Sequence, residues 1–344
     1  MIIKSLRVQN FRTHRDFSMN FSDKTTLITG SNGSGKTSLL EAIFMVLRGT
    51  SFKSSDREIV KNDIDETWFR VDVKTANDKN RTVKFDYSRT SGKKQFVLDS
   101  KNNYRLPTAH KFPVVMFEPD DLQLLSGSPS RRRRFLDQFL GQLDSEYATI
   151  QRKYEKALRQ RNMLLKQDNY SSDEIFPWNL MLSKYGAEII SKRLGLIDRL
   201  NSQMSEVYKN ISGVDDDISI LYIGEEMNSD RLLNELSKNE FKDKLIGYTS
   251  VGPHRHDIEF VFNHAGAKNT ASRGEVRSLI LAIKFLETDI LAELLDEKPI
   301  ILLDDVFSEL DENRQVLLSK HFSQYQTIIS SVNQIKDVDK IINL

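Results

Sequence analysis

The chain has 344 residues, 29% of them charged and 39% hydrophobic, with a net charge of +1 and no cysteine. That length supports one large or two ordinary domains, and the missing cysteines exclude disulfides, thiolate zinc sites and cysteine nucleophiles. No apolar run approaches the roughly 18 residues of a membrane helix, and Met1-Ile2-Ile3-Lys4-Ser5-Leu6 lacks a signal-peptide design, so a cytoplasmic protein without a membrane partner is expected.

Residues 1 to 115 read as strands around one helix. Strand-like segments fall at 2–8, 17–21, 69–74, 82–89 and 95–98, punctuated by turn signals at Asn77-Asp78 and Ser91-Gly92. Thr25-Thr26-Leu27-Ile28-Thr29 is a further β-branched strand, and it runs straight into Gly30-Ser31-Asn32-Gly33-Ser34-Gly35-Lys36-Thr37. The octet fits the phosphate-loop pattern, two glycines five apart followed by Lys and Thr. Leu39, Leu40, Ile43, Phe44 and Leu47 then place a helix over 38–48. Glycines let the backbone turn its N–H groups inward, and with the helix N-terminus they make an anion site. Lys36 can reach the β- and γ-phosphates, and the Thr37 hydroxyl can ligate Mg²⁺.

A helical texture begins near residue 120. Ser128-Pro129 is an N-cap and first-turn pair that opens a helical stretch reaching Lys166, with Phe135, Phe139, Leu143, Tyr147, Ile150 and Tyr154 at helical spacing. After a loop at 167–173 the pattern resumes from Asn179 to Ile211. About 30 residues make a helix on the order of 45 Å long, and two such helices with a short connection suggest an antiparallel arm. The same residues also suit an ordinary helical subdomain with no projection. Residues 131–166 carry ten basic and four acidic side chains, and 213–243 three basic and nine acidic ones. Arg131, Arg132, Arg133 and Arg134 fall in a helix's first turn, where the macrodipole is unfavourable to cations. Helix stability does not explain them. DNA phosphate, an acidic patch elsewhere on the fold, or ion pairs with acids such as Asp137 each would, and at most two of the four can face one ligand.

The C-terminal third returns to α/β, with a helix at 275–295, a buried strand at 299–303, a helix at 312–321 and a strand at 327–331. Ile300-Ile301-Leu302-Leu303-Asp304-Asp305 is an apolar strand ending in two carboxylates, the Walker B pattern. Asp304 would hold Mg²⁺ directly or through water, and Asp305 sits where a base could deprotonate the attacking water. Lys36 and Asp304 lie 268 residues apart, so the helical stretch reads as an insertion within a split head. In Ala271-Ser272-Arg273-Gly274-Glu275, Ser272 can N-cap the following helix and Glu275 can complete a capping box. His254 and His256 have no cysteine or acidic cluster to make a zinc site.

Taken together, Asn10-Phe11-Arg12, the phosphate loop followed by Leu39-Leu40-Glu41-Ala42, Arg132-Arg133-Arg134-Phe135-Leu136-Asp137, Gly252-Pro253-His254-Arg255, the Ser272–Glu275 signature and Leu303-Asp304-Asp305 resemble RecF-type proteins, SMC-like relatives of the ABC ATPases. Ser308-Glu309-Leu310-Asp311 resembles the D-loop. The resemblance covers nearly the whole chain. It implies an α/β fold, an ABC/SMC-type phosphate-loop ATPase head whose lobe I is split between 1–115 and 297–344, with a mainly helical lobe II and arm at 116–296. It implies ATP and Mg²⁺ as cofactors, with Gly30 to Thr37 on the nucleotide, Thr37 and Asp304 on the metal, and Lys36 and Asp305 in catalysis. Ser272 and Gly274 would meet the γ-phosphate held by a second copy.

The family's ATPase is weak and serves DNA replication, repair and the SOS response. The resemblance implies an ATP-dependent homodimer that clamps double-stranded and gapped DNA and, with RecO and RecR, supports RecA loading. Three departures or gaps stand out. Transporter-type ABC ATPases have Glu at the position of Asp305, a switch His is replaced by Ser330-Ser331, and the Q-loop glutamine has only Gln123 as a candidate. Rival readings are a structural SMC-like tether, a transporter ATPase, and an overcoming-lysogenisation-defect-type nuclease. The first needs hundreds of heptad residues, the second normally has a shorter Walker spacing, and the third needs an acidic domain where only 39 residues follow Asp305.

Overall fold

Hydrophobic alternation along the N-terminal strands decides the first layer. In the computed structural model, which describes residues 1–60, 67–77, 79–86, 93–167 and 169–344, Phe69, Val71 and Val73 alternate inward on strand Trp68–Thr75. The end of the strand expected over 82–89, the Ser91-Gly92 turn, Asp78 and Asp168 lie outside the described residues. By internal contacts the chain forms two units, one of Met1–Asp121 with Glu287–Leu344 and one of Leu122–Leu286; the boundary near Glu287 falls inside the helix Arg273–Leu295.

The first unit has two sheets. One is antiparallel with six strands, in the order His14–Asn20, Ile3–Phe11, Trp68–Thr75, Asn80–Asp86, Gln95–Leu98 and Lys101–Asn103. A register shift between Ile3 and Ser5 puts Ile3 among the buried residues with Leu6 and Val8, despite their odd spacing. The other sheet is parallel, in the order Lys340–Asn343, Thr25–Thr29, Thr327–Ser331, Ile300–Asp304 and Val114–Phe117. Ile300–Asp304 and Thr327–Ser331 are buried at every position, as a strand with neighbours on both sides and covered faces requires. Helix Lys36–Arg48 buries Leu39, Leu40, Ile43, Val46 and Leu47 in the core that both sheets share. Val114–Phe117 is a strand the sequence reading did not find. Four residues after a proline carry too little pattern to separate a strand from a loop.

The second unit is mainly helical. The helix expected without interruption from Ser128 to Lys166 is two helices, Pro129–Leu143 and Tyr147–Leu165. Asp144 breaks it: its carboxylate accepts the Glu146 N–H at 2.8 Å and a Lys192 ammonium hydrogen at 2.6 Å, a local bond that competes with the helix. The next helix spans Ser172–Ser212, 41 residues and roughly 60 Å. It starts earlier than the apolar pattern indicates because Ser171 and Glu174 form a capping box, and it tolerates Pro177 in its second turn. The two long helices pack as an antiparallel pair, and Ser172–Ser212 also packs on strand Ile218–Ile223 and helix Ser229–Lys238. Strands Ile218–Ile223 and Asp257–Phe262 pair antiparallel.

One link between the oppositely charged stretches is buried. Arg161, fully shielded from solvent, donates to Asp243 at 2.7 Å, Asn179 at 2.6 Å, Thr249 at 2.8 Å and the Leu236 carbonyl at 3.1 Å. Among the described residues no helix is long and apolar enough to cross a membrane.

Candidate functional site

Strand order builds the site. Thr25–Thr29 and Ile300–Asp304 are not neighbours, because Thr327–Ser331 lies between them, with Ser330 in register with Asp304 on one side and Ile28 on the other. All three strands point the same way, so their C-terminal ends form one edge, where ligands of open parallel sheets bind. The loop leaves the first strand there. Gly33 and Gly35 take φ of +82° and +96°, in the left-handed region. At Gly35 no side chain fits, since a Cβ would collide with His14 Nε2 and Thr13 Oγ1. His14 donates from Nε2 to the Gly35 carbonyl at 3.1 Å, and burial pushes its pKa down.

Lys36 is largely buried, and its ammonium donates to the carbonyls of Gly30 at 2.8 Å and Ser31 at 2.9 Å. Thr37 Oγ1 donates to Asp304 Oδ1 at 2.8 Å, and Ser330 Oγ donates to the same oxygen at 2.6 Å. The loop and the strand end that the sequence reading paired are therefore in contact. Asp305, next along, adopts a φ of 52°. Burial, and then the neighbouring Asp304, push its pKa above the ordinary carboxylate range against the pull of Lys36. Among the described residues its Oδ1 is buried without a hydrogen-bond partner, as is Ser34 Oγ in the loop.

Two motif fragments turn out to be halves of one ion pair. Arg12 grips the buried Glu41 through Nε and Nη2, both at 2.9 Å, and it also bonds Ser54 Oγ and the Glu58 carbonyl. The bidentate geometry needs an arginine. Nothing in the spacing of residues 12 and 41 announces it, because the contact depends on how the sheet lies on the helix.

In the second unit, Ser272 caps helix Arg273–Leu295. Its hydroxyl accepts the Glu275 N–H at 3.3 Å, and Glu275 accepts the Ser272 N–H at 2.6 Å. Ser272 is exposed, and its backbone N–H and hydroxyl both hydrogen-bond the Glu275 carboxylate, which holds that carboxyl below its ordinary pKa. Gly274 lies in the first turn of the same helix. Gln123, an exposed residue, heads the short helix Gln123–Ser126. Asp311 N-caps helix Glu312–Phe322, in the first unit, by accepting the Arg314 N–H at 3.0 Å.

The histidine pair of the Gly252–Asp257 segment is structural. His254 bonds the Tyr154 hydroxyl at 2.7 Å and the Thr249 carbonyl at 3.0 Å, and His256 bonds the Tyr222 hydroxyl at 2.8 Å. Burial pushes both down to about 4. Among the described residues no group of three or more His, Cys, Asp or Glu side chains is placed to hold a metal ion.

The arginine run divides. Arg132 is buried and makes a bidentate pair with Asp257 at 2.8 and 2.7 Å, and it also donates to the carbonyls of Leu125 and Gly127. Of the alternatives for the run, ion pairing with an acid is what Arg132 makes, with Asp257. Arg133 donates to the His256 carbonyl at 2.9 Å. Arg134 is exposed and Arg131 partly so. Asp137, the acid expected to pair with the run, is taken by Arg193 at 2.8 Å and by the Tyr147 hydroxyl at 2.5 Å.

Residues 5–343 match the family model described as AAA domain. The DNA replication and repair protein RecF of Clostridium acetobutylicum is 34% identical over 99% of this chain and 95% of its own length. That of Clostridium perfringens is 34% identical over 96% of this chain and 92% of its own. A solved structure of the recombination mediator protein RecF-ATP in the RecFOR pathway superposes with a TM-score of 0.88 at 31% identity, covering 99% of this chain and 95% of that one. An Smc head bound to the C-winged helix domain of ScpA, 16% identical with a TM-score of 0.57 over 100% of this chain and 94% of that one, shares the fold.

Proposed function

The chain belongs to the RecF family of DNA replication and repair proteins, and on that premise we propose that it is an ATP-switched DNA-binding ATPase of recombinational repair. ATP binding drives two copies together and clamps them on duplex DNA near single-strand gaps. Slow hydrolysis resets the dimer, and RecO and RecR join it in loading RecA.

The observation that carries the reading is the Thr37–Asp304 hydrogen bond beside an orphaned Asp305 oxygen. A hydroxyl and a carboxylate in contact are the oxygen donors Mg²⁺ takes. Lys36 spends two of its three hydrogens on neutral carbonyls, a partner set that a phosphate would outcompete. The residues thus fit MgATP, with Gly30, Ser31, Asn32, Gly33, Ser34, Gly35, Lys36 and Thr37 around the phosphates and Thr37 and Asp304 toward the metal. The metal would supply charge neutralisation on the phosphate oxygens. Asp305 is the base. Its carboxylate directly follows the metal-facing Asp304 and, among the described residues, has one buried oxygen without a partner. Ser272 and Gly274 of the second copy complete the phosphate site, and the exposed Arg134 is a DNA contact.

Sizing the protein by ultracentrifugation with ATP, with ADP and without nucleotide, each with and without duplex DNA, tests this. A dimer that forms with ATP alone and is strengthened by DNA is expected. A sedimentation coefficient indifferent to nucleotide overturns the switch.

A further inference from the structure

Ser330 is in register with Asp304 in the parallel sheet and is fully buried. Its hydroxyl bonds in two directions: it accepts the Asp305 N–H at 3.1 Å and donates to Asp304 Oδ1 at 2.6 Å. The polarity is fixed, because a backbone N–H cannot accept and an ionised carboxylate cannot donate. Thr37 donates to the same Oδ1, so that oxygen is held from two sides, by the loop helix and by the intervening strand. Asp305, which the same hydroxyl tethers, has a φ of 52°, a conformation side-chain-bearing residues seldom adopt.

The geometry points to Ser330 as a positioning residue that presets the Asp304 carboxylate and the Asp305 backbone for a divalent cation. The inference rests on the MgATP reading above. Ser330 touches neither phosphate nor metal in it. It acts through Asp304, as an outer-shell hydrogen bond orients a metal ligand.

The substitution Ser330→Ala separates this role from a structural one. The Asp305 N–H also bonds the Ser330 carbonyl at 3.0 Å, so the strand pairing survives the loss of the hydroxyl. A ribose-labelled fluorescent ATP analogue is titrated with MgCl₂ at fixed nucleotide, and melting is followed in parallel. The expected result is a midpoint for Mg²⁺ raised about 10- to 100-fold, with the wild-type fluorescence amplitude regained at saturation. Ser330→Thr, which restores a hydroxyl, moves the midpoint back. Ser331→Ala, whose hydroxyl accepts the Asn333 N–H instead of serving the carboxylates, leaves it in place.

A wild-type midpoint in Ser330→Ala overturns the inference while leaving the nucleotide reading intact. So does a lowered amplitude at an unchanged midpoint, the mark of damaged folding. If the wild-type protein shows no Mg²⁺-dependent analogue binding, the nucleotide reading fails and this inference with it. Should Ser330→Ala not fold, Ser330→Cys, with a similar size and a weaker donor, must show the same displaced midpoint at a normal melting temperature.

Discussion

Thr37 and Asp304 stand 267 positions apart in the chain and share a hydrogen bond of 2.8 Å. The contact explains why both ends of the chain return to one sheet: the strands at 25–29, 300–304 and 327–331 must be adjacent for their ends to converge. In the sequence, the unit Leu122–Leu286 is inserted between Val114–Phe117 and Ile300–Asp304, two strands that pair in parallel in that sheet.

Lys36→Ala should weaken ATP binding about 10- to 100-fold, the worth of a charge-assisted hydrogen bond. Asp305→Asn keeps the shape and removes the carboxylate, so ATP should bind and persist without turnover. Equilibrium binding and phosphate release on the two variants check this pair. If Asp305→Asn hydrolyses ATP at the wild-type rate, its assignment as the base is wrong.

The arginine run should separate into stability and binding. Arg132→Gln strands Asp257 and should cost about 3 kcal/mol in urea unfolding, the low end for a broken buried pair because Asp257 is partly open to water. In a double-mutant cycle, adding Asp257→Asn should cost less than the sum of the single changes. Arg134→Gln should leave the urea midpoint alone and flatten log affinity for duplex DNA against log salt by about one unit. An unchanged salt slope removes DNA as the ligand of Arg134.

The buried histidines make a pH prediction. His254 lies near 4 when folded, below its ordinary 6.5, so the unfolded chain takes up the proton first. Its contribution is complete above about pH 6.5, is lost as pH falls from there toward 4, and changes no further below. The total loss is on the order of 3 kcal/mol. His256 adds to it in the same sense. Between pH 6.5 and 5, where ordinary carboxylates stay ionised, His254→Gln should show a flatter fall of the urea midpoint. Parallel slopes for variant and wild type would contradict the neutral, buried assignment.

How much of this was legible in the sequence follows from what each feature depends on. The phosphate loop and the Asp304-Asp305 end were readable because Gly, Lys, Thr and Asp at fixed spacing leave few alternatives. The strand at Thr327–Ser331 was found with its bounds intact, but its place between the other two was not, because sheet order depends on distant pairings. For that reason Ser330, Arg12–Glu41 and Arg161–Asp243 went unseen: each is a contact across more than 25 residues between elements with no shared periodicity. The break at Asp144 was hidden differently. The apolar spacing continues through it, and only the side chain's competing hydrogen bonds stop the helix.

In the proposed function, Ser272 is the residue on which the two-copy site depends. Its hydroxyl already caps a helix, so Ser272→Ala should cost about 1 kcal/mol of stability through the lost cap. Ser272→Asn keeps a capping oxygen and should not. Ser272→Arg introduces bulk and a charge at an exposed helix start and should block ATP-driven dimerisation while ATP binding to the single copy remains. The three variants separate capping from assembly, since stability should follow the cap and dimerisation should follow the space around it. Ultracentrifugation with ATP, beside analogue binding and urea unfolding, reads all three quantities. Normal dimerisation of Ser272→Arg would sink the shared site. A loss of ATP binding in parallel with dimerisation would place the residue's effect within its own copy.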